Sequence, residues 1–282
     1  GVGESGNFPA AVKVTAEYFP KQDRAFATSL FNAGSTVGAL IAPLSIPTLA
    51  SYFKSINVGN GWEMAFILIG ALGFIWMGLW MWLYKKPDEN ARVNKAELAY
   101  IRQDEQAGGN VAEAAEHKMT LMQVLSHRQA WVVILGKFMT DGVWWFLLFW
   151  VPAYVSDVYQ LPSSHPTAQL LLFVLYAITM LSIYGGKLPT IIIKKTGKNP
   201  YDARMKAMLI FALFPLLAVF VQPLGQISYW YSIIIIGLVC AAHQSWSANI
   251  YTVGSDLFPK SAVATIVGLG GMAGGVSSAL LK

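Results

Sequence analysis

Long apolar runs separated by short polar turns are the feature that most constrains this chain. Runs of about 20 residues with few charges recur along the sequence, and an α-helix of that length can cross the hydrocarbon core of a bilayer. Hydrophobic residues make up 55% of the 282 residues and charged residues 12%. That charged share is about half the share in soluble domains. The sequence therefore predicts an all-α integral membrane protein with many spans.

The apolar runs predict eight spans, with Pro, Lys and Arg at many of their ends. They cover approximately residues 1–19, 25–52, 62–84, 130–155, 167–193, 203–221, 228–255 and a last run after residue 260. Lys21 and Arg24 predict a water-exposed turn after the first span. The sequence begins and ends inside apolar segments, so we expect a part of a longer protein.

Residues 85–129 form the one long hydrophilic segment, which separates three spans from five. Their mixed charges are typical of a solvated face, with a short amphipathic helix predicted near residues 96–106. Lys and Arg are concentrated in alternate connections, including 85–129 and 187–206, and the positive-inside rule places such connections in the cytoplasm. We therefore expect a multi-pass protein of the inner (plasma) membrane with 85–129 as a cytoplasmic linker. The net charge of +5 requires no nucleic-acid partner.

The first nine residues, GVGESGNFP, place the carboxylate of Glu4 in an apolar run. A charged carboxylate is costly there unless it is paired, protonated or facing a water-filled cavity. Asn7 lies three residues later and shares the same helical face. The pattern predicts a titratable site in a membrane cavity, with an acid at a frayed terminus as the alternative.

The second span carries Asn32 and Ser35, three residues apart on one helical face. A substrate contact and simple helix packing are both consistent with this pair.

The fourth span contains Lys137 and Asp141 at i, i+4, so the two charges lie on one face and can pair. Opposite charges inside a span favour a functional site, although the pair could simply neutralise itself. Trp144 and Trp145 follow, and Trp144 shares a face with Asp141. Aromatic planes beside a polar pair suit a sugar ring, and core packing is the alternative.

The seventh span has polar side chains over a wide arc, which is more than one packing contact requires. His243 and Ser247 share one face, while Gln244 and Asn249 extend the polar surface around the helix. The density of these groups predicts a helix that lines a cavity. A lone His that only satisfies a neighbouring acceptor is the alternative.

Enzyme chemistry is not indicated by this sequence. It contains no nucleophile–base pair, metal-ligand spacing or cofactor-binding loop that we can identify. Cys240 is the one cysteine, which excludes an intrachain disulfide framework and a multi-cysteine metal site.

Several motifs resemble one family. Residues 1–27 and 31–43 (FNAGSTVGALIAP) are similar to the fourth and fifth helices of the anion:cation symporter branch of the major facilitator superfamily. Residues 137–152 (KFMTDGVWWFLLFWVP) and 241–259 (AAHQSWSANIYTVGSDLFP) resemble the seventh and tenth helices of its hexuronate transporters. The resemblance implies an incomplete helical bundle with about eight of twelve spans. Residues 1–84 would then hold helices four to six, 85–129 the linker and 130–282 helices seven to eleven.

The resemblance also implies proton-coupled import of a hexuronate such as glucuronate or galacturonate, without a cofactor. Glu4 would take part in proton coupling, and Asn32 or Ser35 would contact the substrate. Alternatives are symport of another organic anion, such as an aldonate or a tartrate-like acid, and a sensor that binds without transport. The expected partners are a small sugar acid and the lipid bilayer, with the protein as a monomer.

From the chemistry of the residues, Lys137 would attract the substrate carboxylate if Asp141 does not neutralise it fully. His243, Gln244 and Asn249 would meet sugar hydroxyls. Trp144 and Trp145 would offer apolar faces to the ring.

Overall fold

The computed structural model describes residues 6–104, 119–162 and 165–281, and these residues are helical over most of their length. Two short 3₁₀ helices, Pro87–Glu89 and Phe214–Phe220, accompany the α-helices. The α-helices are α1 (Asn7–Tyr18), α2 (Arg24–Ser55), α3 (Trp62–Leu83), α4 (Lys95–Ile101), α5 (Leu121–Ser126), α6 (Arg128–Tyr159), α7 (Pro166–Thr179), α8 (Ser182–Gly185), α9 (Leu188–Thr196), α10 (Pro200–Leu213), α11 (Val221–Gly225), α12 (Tyr229–Leu257) and α13 (Lys260–Leu280).

Seven stretches of the described residues are long and apolar enough to cross a membrane. They are Arg24–Ala42, Trp62–Leu83, Arg128–Tyr159, Pro166–Thr196, Pro200–Gly225, Tyr229–Leu257 and Ser261–Leu280. The prediction of an all-α integral membrane fold is confirmed. The first predicted span contributes the 12-residue helix α1, since residues 1–5 lie outside the described ranges.

Helix α12 lies at the centre of the bundle. In its most apolar stretch 72% of the residues are buried, against 6% in α3. It packs against α2, α6, α7 and α10, and its His243, Gln244 and Asn249 side chains are all buried. The polar groups of this helix therefore face neighbouring helices.

The fifth predicted span, residues 167–193, is not one continuous helix. It is divided into α7, α8 and α9, and the short helix α8 packs against α2 and α12. A Cβ added at Gly185 would lie 2.0 Å from Ser245 Oγ, and one added at Gly186 would lie 2.1 Å from Ser29 Oγ. Glycine is required at both positions because α2 and α12 leave no room for a side chain.

The sixth predicted span is also interrupted. Helix α10 ends at Leu213, and the 3₁₀ segment begins at Phe214 with Pro215 in its first turn. Proline has no backbone N–H and disfavours an α-helical preceding turn, which explains the change of helix type here.

The hydrophilic segment contains the predicted short helix as α4, which Asn94 caps by accepting a hydrogen bond from the Glu97 N–H. Beyond α4, the Asp104 carboxylate accepts a 2.6 Å hydrogen bond from the backbone N–H of Lys21. The Tyr100 hydroxyl donates to Asp23, and this hydrogen bond raises the pKa of Tyr100 above its ordinary value. The segment is therefore attached to the turn between α1 and α2.

Candidate functional site

The amino group of Lys137 is the centre of the candidate site. The Lys137 side chain is 2% exposed, and its Nζ lies 2.5 Å from Asp141 Oδ1. From α12, Ser247 Oγ accepts a 3.1 Å hydrogen bond from Nζ, and the ring centroid of Tyr251 lies 4.0 Å away. A lysine ammonium has three N–H donors. A carboxylate, a hydroxyl and an aromatic face therefore satisfy the whole cation.

Helix α13 leaves space for this pair by presenting glycines to it. A Cβ added at Gly274 would lie 2.2 Å from Asp141 Oδ2, and one added at Gly270 would lie 3.2 Å from Lys137 Cγ. These two glycines therefore let α13 approach the pair closely. Asp141 keeps 16% of its side chain exposed, so it is the more accessible member of the pair.

His243 and Trp144 lie beside the pair. The His243 Nε2 atom is 2.8 Å from the Thr140 carbonyl oxygen, and the two rings stack with centroids 5.8 Å apart and planes 15° from parallel. A carbonyl oxygen only accepts, so Nε2 carries a hydrogen. In the neutral tautomer Nδ1 is then a buried acceptor, and it has no hydrogen-bond partner among the described residues. The site therefore contains an acceptor that could receive a hydroxyl.

Asn32 and Gln244 are joined directly, with Asn32 Nδ2 donating to Gln244 Oε1 over 2.8 Å. Asn32 lies on α2 and Gln244 on α12, so the bond connects two separate spans. Ser35 is exposed, and its hydroxyl donates to the Asn32 carbonyl oxygen over 2.7 Å. Thr28 and Thr36, one turn before and after Asn32, are buried and have hydroxyls without a partner in the described part of the chain.

The structure does not bring Trp145 or Asn249 into contact with the charged pair. Trp145 is 41% exposed and stacks on Phe149, where it lines a groove of about 390 Å³ on the apolar surface. Asn249 is fully buried and donates to the Ser245 carbonyl oxygen over 2.8 Å. Its Oδ1 has no partner within the described residues.

Asn7 is exposed at the start of α1. Glu4, the predicted proton-coupling residue, lies outside the described residues.

Sequence reasoning missed Tyr251, and it placed Ser247 on the polar surface of the seventh span without proposing it as a binding residue. Ser247 and Tyr251 are four residues apart and share one face of α12, which the spacing could have indicated. Tyr251 also contacts Phe8 of α1, with ring centroids 4.8 Å apart. One aromatic ring thus touches both α1 and the buried cation.

A second buried ionic cluster lies at the ends of α2, α10 and α12. Arg24 Nη1 is 3.2 Å from Asp256 Oδ1, and Arg204 forms an ion pair with the other Asp256 oxygen. Arg204 also donates to the Lys21 carbonyl oxygen over 3.0 Å. The expectation that Arg24 lies in a water-exposed turn is wrong, because Arg24 is 7% exposed and the ends of three spans enclose it.

Comparison with known proteins places the chain in a family. The family model described as Major Facilitator Superfamily matches residues 1–281. The chain belongs to the Major Facilitator Superfamily. With seven membrane-length apolar stretches among its described residues, it is a multi-pass membrane protein.

Curated relatives match the chain at modest identity. The hexuronate transporter of Escherichia coli (strain K12) is 30% identical over 284 residues, which cover 99% of this chain and 62% of that protein. The galacturonate transporter of Dickeya chrysanthemi is 27% identical over 213 residues, 76% of this chain and 59% of that protein. The D-galactonate transporter of Escherichia coli O6:H1 is 32% identical over 166 residues, 56% of this chain and 36% of that protein. The chain thus spans less than two thirds of the length of these relatives.

Proposed function

We propose that this protein is a proton-coupled secondary transporter that imports a hexuronate, either glucuronate or galacturonate. The observation that carries the proposal is the buried ammonium of Lys137, which is 2% exposed within a span and is paired with Asp141 among neutral polar groups. Ionisable groups inside spans are costly, and they commonly mark substrate or ion pathways. The similarity to proteins named as transporters of hexuronate, galacturonate and D-galactonate supports a sugar acid as the substrate class.

The groups around Lys137 suit a ligand with one carboxylate and several hydroxyls. Gln244 and Asn32 offer amide donors and acceptors, and His243 offers the free acceptor Nδ1. Trp144 presents a ring next to His243. A site that hydrogen-bonds hydroxyls discriminates against analogues without them, because its own polar groups would be left unpaired.

The proposed mechanism is alternating access. Residues 1–84 and 130–282 would belong to two moving units, and residues 85–129 would be the cytoplasmic linker between them. The Asn32–Gln244 hydrogen bond and the Asp256 cluster join these two parts of the chain, so each contact would break when its side opens. The basic connections would face the cytoplasm, with the protein in the inner membrane.

Glu4 is the proposed proton carrier. In an apolar span the protonated form of Glu4 is favoured over its charged form. Glu4 could therefore carry a proton across the membrane together with the substrate. Glu4→Gln should abolish glucuronate accumulation driven by a proton gradient and leave some substrate exchange. Accumulation by this variant with unchanged pH dependence would exclude Glu4 as the carrier.

A second candidate substrate is an aldonate, which the similarity to the D-galactonate transporter favours. An aldonate carries the same single carboxylate on an open chain, so Lys137 would serve either ligand.

Uptake of radiolabelled glucuronate into membrane vesicles tests the proposal. We expect accumulation only with an inward proton gradient and competition by galacturonate. Binding without uptake under any gradient would indicate a sensor instead, and stronger competition by galactonate than by galacturonate would favour the aldonate.

A further inference from the structure

The Lys137 ammonium already has three partners among the described residues. Asp141 at 2.5 Å, Ser247 at 3.1 Å and the Tyr251 ring at 4.0 Å match its three N–H donors in number. A sugar acid can therefore reach this cation only if one of these partners leaves. The ring and the hydroxyl are neutral, whereas Asp141 is itself a carboxylate and occupies the place that a substrate carboxylate would need.

We propose that the substrate carboxylate and Asp141 exchange on Lys137, and that Asp141 takes up a proton when it is displaced. This inference rests on the proposed function, because it takes the ligand to be a sugar acid. In the free site one ammonium faces one carboxylate. In the loaded site the same ammonium faces the substrate carboxylate, and Asp141 is a neutral carboxylic acid. The proton comes from water, and the net charge of the site stays the same.

The surroundings of Asp141 favour this exchange. The aspartate side chain is 16% exposed, against 2% for Lys137, so Asp141 is the member of the pair that is less enclosed. On the α13 side, the Asp141 carboxylate cannot move away from Lys137, because even a Cβ at position 274 would lie 2.2 Å from Oδ2. A displaced Asp141 that remains next to Lys137 would place two negative carboxylates beside one ammonium, and the two carboxylates would repel each other.

Few other groups could take the proton in its place. From α12, Tyr251 and His243 face the pair. His243 Nδ1 has no partner among the described residues and is a competing acceptor, and undiminished proton uptake after Asp141→Asn would reveal it. From α13, the positions against the pair and the adjoining turn are Gly270, Gly274 and Ser277, none of which titrates. Within the described residues, no ion pair or hydrogen bond joins Asp141 to α5 or α7, which also pack against α6.

Proton uptake on binding gives the direct test, measured by calorimetry in buffers of different ionisation enthalpy with the purified full-length protein. The Glu4→Gln background removes the other proposed proton site. In that background we expect about one proton per bound glucuronate, and none after Asp141→Asn is added. If binding takes up one proton, glucuronate affinity should fall about tenfold for each unit by which the pH rises, over the pH range in which Asp141 is charged in the free protein. The double variant should lose this slope.

Asp157→Asn is the matched control, since Asp157 lies on the same helix and is exposed. It should keep the uptake of one proton. If Asp141→Asn does not fold, the uncharged analogue glucuronamide replaces the mutation. It carries no carboxylate to exchange, so we expect it to bind to the Glu4→Gln protein without proton uptake.

The outcomes separate the two proposals. Glucuronate binding without proton uptake in the Glu4→Gln protein, or undiminished uptake after Asp141→Asn, overturns the exchange and leaves hexuronate transport standing. Equal proton uptake with glucuronate and glucuronamide also overturns the exchange. A folded wild-type protein that binds no glucuronate, galacturonate or galactonate contradicts the proposed function and the exchange together.

Discussion

Two lysine–carboxylate pairs with the same i, i+4 spacing lie in very different surroundings. On α1, Lys13 Nζ and Glu17 Oε1 are 3.9 Å apart, and the two side chains are 46% and 12% exposed. On α6, Lys137 and Asp141 are 2.5 Å apart with 2% and 16% exposure. The first pair has solvent around its cation, whereas the second is enclosed by α12 and α13.

The comparison shows that spacing predicts a pair and that its surroundings decide the consequence. An exposed i, i+4 pair contributes only about 0.3–0.5 kcal/mol, because water screens the charges and the side chains lose freedom. In the buried pair, removal of one partner leaves a charge that neither water nor another ion compensates. Only a buried pair such as Lys137–Asp141 can therefore contribute a large part of the binding free energy of a charged substrate.

The largest expected effect comes from Lys137→Met. It leaves the half-buried Asp141 without its cation and should lower the free energy of unfolding by about 3–5 kcal/mol, with loss of sugar acid binding. Adding Asp141→Asn should restore stability and leave affinity low. Thermal unfolding and ligand binding measure the two effects, and full affinity in a well-folded double variant would reduce the pair to a structural role.

The next effect concerns the glycine that accommodates Asp141. Gly274→Ala places a methyl group 2.2 Å from Asp141 Oδ2 and 2.8 Å from its Cβ. Overpacking of this kind costs about 1–3 kcal/mol, and we expect the upper end. Gly271→Ala is the matched control, because a Cβ there meets nothing within 4 Å. Equal melting temperatures for the two variants would show that the pair does not depend on this close contact.

The aromatic face below the cation should have a smaller effect. Tyr251→Leu removes the ring 4.0 Å from Lys137 Nζ and should cost about 2 kcal/mol of stability, whereas Tyr251→Phe keeps the ring. An exposed counterpart is available in Lys187, whose Nζ lies 4.4 Å from the Phe26 ring. Phe26→Leu removes this ring, and chemical unfolding measures the resulting change in the free energy of unfolding. Equal losses for Tyr251→Phe and Tyr251→Leu would assign the effect to the hydroxyl.

The smallest expected effect is that of Lys13→Met, which opens the exposed pair. Stability should change by no more than about 0.5 kcal/mol, and glucuronate uptake should not change. A loss comparable to that of Lys137→Met would break the distinction between the two pairs.

Much of the fold could be predicted from the sequence, because apolar length determines which segments can span a bilayer. The Lys137–Asp141 pair was predictable too, since it depends only on helical spacing within one span. The polar arc of α12 likewise indicated which residues needed partners.

The tertiary contacts could not be predicted in the same way. Spacing places Tyr251 on the face of Ser247, and it does not tell which helix meets that face. The breaks around Gly185 and Gly186 depend on how closely α2 and α12 approach. Arg24 followed the pattern of a surface turn, and only the meeting of three helix ends around Asp256 explains its burial.

The central claim is that one buried cation, paired with Asp141 in the free site and flanked by neutral polar groups, selects a substrate with a single carboxylate and several hydroxyls. The most direct measurement is competition against labelled glucuronate uptake by glucuronate, glucose and succinate. Glucose lacks the charge for Lys137, and succinate brings a second carboxylate without a matching cation in the candidate site as described here. We expect unlabelled glucuronate to compete strongly and the other two weakly. Succinate competing as well as glucuronate would contradict the account.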